Sequence, residues 1–100
     1  MPYFITRVEL HAAQKDDYEK LHAEMAKEKF SRTITASGGT IYDLPTASYC
    51  KIGEFTTTQV LDSAKKAATL VGKSYEVLVT QAAVIGSTNA ITWYNLREHK

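Results

Sequence analysis

The stretch Tyr3-Phe4-Ile5-Thr6-Arg7-Val8-Glu9-Leu10 (YFITRVEL) decides the fold. It is rich in aromatic and β-branched residues, and its character alternates. Phe4, Val8 and Leu10 fall on one side; Tyr3, Ile5, Arg7 and Glu9 fall on the other. A period of two is the signature of a strand, here with one apolar face and one mixed face.

Downstream the period changes. Asp16 and Glu19 stand three residues apart, the spacing of a capping box. They predict a helix from about Asp17 to Lys29, with Tyr18, Leu21 and Met25 in its buried stripe and Glu19, Lys20, Lys27 and Glu28 in water. Phe30 to Thr35 (FSRTIT) reads as a second strand, and Ser37-Gly38-Gly39 as a turn, because glycine supplies the positive φ that tight turns demand. Thr40 to Leu44 either continues that strand after a bulge or extends it. Pro45 breaks the pattern, and Ala47 to Ile52 (ASYCKI) is the third strand. Thr56 and Gln59 form another capping pair, opening a second helix that runs to about Val71. Val60, Ala64, Ala67, Ala68 and Val71 make its inner face, and Gly72 sits where a left-handed stop belongs. Ser74 to Gln81 (SYEVLVTQ) is the fourth strand, with Tyr75, Val77 and Val79 opposite Glu76, Leu78 and Thr80.

The order is β-α-β-β-α-β, which predicts an α+β, ferredoxin-like domain over residues 1–82. Its four-stranded antiparallel sheet carries two helices on one face. The other face, with Tyr3, Ile5 and Arg7, is then open for a second copy or a partner. Residues 83–100 form a C-terminal extension. Gly86 to Asn89 read as a turn and Ala90 to Leu96 (AITWYNL) as a fifth strand holding Trp93 and Tyr94. So apolar a strand either closes its own sheet or pairs with a partner's edge, and a homodimer through the sheet or this strand is expected.

Composition bounds the function. Twelve Lys and Arg against 11 Asp and Glu give a formal charge of +1 over 100 residues. That is no footprint for tight nucleic-acid binding and no signal for DNA, though it leaves local contact with RNA open. Cys50 is the single cysteine, so an intramolecular disulfide and a multi-thiolate zinc site are both excluded. No cofactor or metal is expected. No stretch has the length of a membrane span. Met1-Pro2-Tyr3-Phe4-Ile5 lacks the basic start and apolar core of a signal peptide, so a cytoplasmic protein is expected.

The candidate chemistry is sparse. His11 follows the first strand, where a loop presents it at a sheet end; His22 borders the helix stripe; His99 lies in the tail and carries little weight. Arg7 and Arg32 are the arginines inside expected strands. Arginine grips phosphate through two parallel hydrogen bonds, and the structural alternative for Arg7 is an ion pair with Glu9 or Glu76. Cys50 lies within a strand pattern and no nucleophile elbow is present. Ser37-Gly38-Gly39-Thr40 has too few glycines for a phosphate loop.

Met25 to Val60 resembles the GhoS family of small antitoxins in toxin–antitoxin systems. Lys29-Phe30-Ser31 leading to the turn, Asp43-Leu44, and the Tyr49 strand before the Thr-rich helix start carry the resemblance. In element order and length it extends over Tyr3 to Gln81. It implies a ferredoxin-like fold similar to that of the CRISPR adaptation endonucleases, and ribonuclease action on a toxin's mRNA. The family's basic position in the first helix falls on His22 and a second on Lys20. The acidic position of the CRISPR endonucleases falls nearest to Glu9. His22 departs from arginine.

The expectation is a dimeric antitoxin-type endoribonuclease acting on single-stranded RNA. His22 or His11 is the base, Arg32 stabilises charge, and Arg7 and Lys20 hold the RNA. The rival is a non-catalytic interaction or regulatory module, for instance phage-borne, that uses the open sheet face and the tail. A small-molecule-binding dimer with a deep apolar pocket is the third reading.

Overall fold

Strand β1 (Tyr3–Leu10) spans the stretch on which the sequence reading turned, and it is the centre of the molecule. In the computed structural model, which describes residues 2–36, 38–82, 84–85, 88–89 and 95–99, β1 lies between β4 (Ser48–Ile52) and β5 (Tyr75–Ala82), antiparallel to both. The register sets Ile5 opposite Cys50 and Thr80, and Thr6 opposite Tyr49 and Val79. Partners across a ladder share a face. One face therefore carries Phe4, Thr6, Val8, Leu10, Tyr49 and Val77, and the other carries Tyr3, Ile5, Arg7, Ile52 and Leu78.

Helices α1 (Lys15–Lys27) and α2 (Thr57–Thr69) pack on the first face. Leu21 and Met25 from α1 and Val60, Ala64, Ala67 and Ala68 from α2 join Phe4, Val8 and Leu10 in one buried cluster. Each fully buried Leu, Val, Met or Phe contributes about 1.5–3 kcal/mol to folding. The alanines of α2 let it lie close to the sheet.

Local chemistry sets the helix ends. Thr56 accepts from the Gln59 amide at 3.1 Å while the Gln59 side chain accepts from the Thr56 amide at 2.9 Å, the expected capping box. Gly72 takes φ +88° just past α2, the left-handed stop. α1 differs. A turn with Ala12 at φ 52° enters it earlier, so the Gln14 amide donates to the Asp17 carboxylate at 2.9 Å and the pair moves two residues upstream of Asp16 and Glu19. Lys29 at φ 68° then turns the chain away. Lys51, 6% exposed, donates from Nζ to the Glu28 carbonyl at that helix end, where a cation complements the dipole. Its Nζ lies 4.9 Å from the Phe30 ring centre and 4.8 Å from that of Phe55.

The expected single four-stranded sheet is replaced by a three-stranded sheet of order β4-β1-β5 and a separate hairpin of β2 (Thr33–Thr35) with β3 (Ile41–Asp43). Ser31 makes one antiparallel bridge to Cys50, exchanging two hydrogen bonds of 2.7 Å. Beyond it the backbone groups are satisfied within the hairpin, where the Ala36 amide donates to the Thr40 carbonyl and the Leu44 amide to the Arg32 carbonyl, both at 2.8 Å. β6 (Val84–Ile85) and β7 (Thr88–Asn89) form a third, two-residue ladder. The expected fifth strand, with Trp93 and Tyr94, falls largely outside the described residues. No helix among the described residues is long and apolar enough to cross a membrane.

Candidate nucleic-acid interface

Residues Arg97 to His99 bridge to the β3 edge of the hairpin. The Asp43 amide donates to the Arg97 carbonyl and the His99 amide to the Ile41 carbonyl, both at 2.8 Å, flanking an antiparallel bridge between Tyr42 and Glu98. Because side chains alternate along a strand, this register settles what meets what. Thr33, Asp43 and Arg97 form a row across the hairpin and the bridged segment, with His99 beside it, while Glu98 and Tyr42 take the opposite side. That row borders an open cleft of about 780 Å³ lined by Arg32, Thr33, Asp43, Leu44, Arg97, Glu98 and His99.

Within the cleft, His99 Nδ1 lies 2.7 Å from Asp43 Oδ1. A carboxylate only accepts, so Nδ1 carries a proton, and whenever the ring is neutral its lone pair is at Nε2. Both side chains are about half exposed, at 52% and 47%, so a ligand can reach them. Arg32 and Arg97 both line this opening.

Arg32 also couples the cleft to a second pair. His22 Nδ1 lies 2.6 Å from the Tyr49 hydroxyl, with the rings tilted and 5.7 Å apart. Burial, then the Arg32 charge, hold His22 below the usual histidine value, against a smaller opposing effect of Glu19. Burial raises the Tyr49 phenol well above the usual tyrosine range. The phenol therefore keeps its proton, and we assign its O–H as the donor to the neutral His22 ring. With Nδ1 so engaged, His22 has its N–H at Nε2. Cys50, its thiol pushed up to about 11 by burial, is no nucleophile.

The remaining expected residues lie elsewhere. Arg7 is on the open face, 3.7 Å from Glu9. His11 contacts Glu76 through Nε2 at 2.9 Å and Ser74 Oγ through Nδ1 at 3.3 Å. Glu76 stands opposite Glu9 in the register, so Arg7 and His11 belong to one charged group at the sheet end, apart from Arg32. Exposed ion pairs of this kind contribute little to stability. Lys20 is exposed on α1. Structure thus joins Arg32 with His22, joins Arg7 with His11, and adds Asp43, Arg97 and His99. The sequence signal for the last three is modest. Arg97 and His99 have strand spacing, but only pairing with β3 brings them beside Asp43. Among the described residues no group of three or more His, Cys, Asp or Glu side chains is placed to hold a metal ion.

No family model matches the chain, nor does any curated protein or solved structure.

Proposed function

We propose that this chain is an RNA-acting protein of the GhoS kind on a ferredoxin-like scaffold, binding single-stranded RNA in the cleft at Arg32 and cleaving it there. One observation carries the reading: two arginines, Arg32 and Arg97, share an open cleft with an Asp43–His99 pair. Guanidinium groups match phosphate oxygens and neutralise the charge that builds on phosphorus during transfer. Asp43 offsets part of that positive charge, so binding is local and modest, in keeping with a formal charge of +1. The Ser31–Cys50 bridge supports the scaffold assignment, because it sets the start of the second strand beside β4.

The test is RNA binding and cleavage by wild type, Arg32→Ala and Arg97→Ala across a salt series. Each substitution removes an exposed side chain, so stability changes by no more than about 0.5 kcal/mol. Each should weaken RNA binding across all sequences and lower the salt slope by about one. Unchanged binding in both variants refutes the assignment.

A second reading has its own observation. Leu78 is 64% and Ile52 48% exposed on the open sheet face, beside Ile5. If wild type neither binds nor cleaves RNA, that face becomes the functional surface and the chain an interaction module.

A further inference from the structure

We infer that His99 is the general base of RNA cleavage, supplied by the C-terminal segment and held in its basic tautomer by Asp43. This rests on the RNA-acting reading and assigns its chemistry. Three features set His99 apart from the other histidines. The Asp43 carboxylate holds a proton on Nδ1, so the lone pair of the neutral ring is the one on Nε2. His99 lines the same cleft as both arginines. Its backbone is clamped to β3 by the His99–Ile41 and Asp43–Arg97 hydrogen bonds, so a terminal residue is held in a fixed position. His22 has its Nδ1 lone pair occupied by Tyr49, and His11 is absorbed by Glu76 and Ser74.

The substrate class follows from the chemistry. His99 Nε2 removes the proton of a ribose 2′-hydroxyl, and the 2′-oxygen attacks the adjacent phosphorus held by Arg32 and Arg97. A bond from O2′ to phosphorus forms, and the bond from phosphorus to O5′ breaks. The departing 5′-oxygen takes a proton from water, and His99 returns its own to solvent. The products are a 2′,3′-cyclic phosphate and a 5′-hydroxyl end. DNA, lacking the 2′-hydroxyl, binds and is not cut.

The experiment compares wild type with His99→Gln on a mixed-sequence single-stranded RNA pool in chelator. Binding is read separately on the same pool with every 2′-hydroxyl methylated. Glutamine retains an N–H donor for Asp43 but has no base, and hydrogen exchange at the Asp43 amide reports whether the segment stays paired. The inference requires binding within about twofold of wild type, a protected Asp43 amide, cleavage lowered about 10²–10⁴-fold, and cyclic-phosphate ends from wild type. Wild-type cleavage by His99→Gln, or 3′-hydroxyl ends, overturns His99 as the base while leaving RNA cleavage standing. Loss of binding together with loss of Asp43 protection makes His99 an anchor only and also overturns it. No binding and no cleavage by wild type removes the RNA reading itself.

Discussion

Replacing Tyr49 with phenylalanine isolates a single oxygen atom. The ring is fully buried, packed edge-on to Phe30 with centroids 6.3 Å apart, and phenylalanine keeps both properties. What disappears is the hydroxyl that donates to His22 Nδ1 at 2.6 Å. A buried hydrogen bond contributes about 0.5–1.5 kcal/mol, and a partner left unsatisfied adds to the loss. His22 is only partly buried and recovers some hydration, so a cost of about 1–2 kcal/mol is expected, with a fall in Tm of about 4–8 °C for each kcal/mol in a domain this size. The pH dependence carries a second readout. Folding holds His22 below its ordinary 6.5, so as pH falls through that value the unfolded chain binds a proton that the folded chain resists. Stability is therefore full on the neutral side and declines as pH drops towards the lowered folded value. The Tyr49 donor favours the neutral ring, so Tyr49→Phe raises the His22 pKa and shrinks the acid-side decline. Urea unfolding across a pH series, with an NMR titration of His22, measures both effects. A loss below about 0.5 kcal/mol at neutral pH with an unmoved His22 titration would refute the donor assignment.

Two further substitutions test the core. Thr6 is fully buried, and its Oγ1 has no hydrogen-bond partner among the described residues. Thr6→Val keeps the shape and the strand preference and should raise stability by about 1 kcal/mol in urea unfolding, whereas a loss would show that the hydroxyl has a partner. Gly53 has φ +153°, and a Cβ there would lie 2.5 Å from the Phe55 ring. Gly53→Ala should cost about 2–3 kcal/mol, from backbone strain and from moving Phe55 off the Lys51 ammonium. Adding Phe55→Ala should recover part of it, and strictly additive losses would count against the clash.

How much was legible depended on how far apart in the chain the partners lie. The residues of β1, both faces of that strand, the inner face of α2, its Thr56–Gln59 box and the Gly72 stop follow from neighbours within a few positions. Hydrophobic period and capping spacing are local, and tertiary context did not override them. α1 begins two residues before the Asp16–Glu19 spacing predicts, because Gln14 is a weaker capping signal than Asp16 and only the turn at Ala12 shows which is used. The division of the β-meander was not legible, since one strand edge can satisfy its amides in the hairpin or in the sheet at similar cost. The site was legible in part. Arg32 stands in a strand pattern and lines the cleft, whereas His99 lies in the tail with no local pattern to mark it. Its 2.7 Å contact with Asp43 joins residues 56 positions apart. Strand and helix period fixed the framework by local forces, but the cleft exists only because the C-terminal segment pairs with β3. That register is chosen by backbone hydrogen bonds, which every residue but proline can make and which leave no mark in the side-chain pattern.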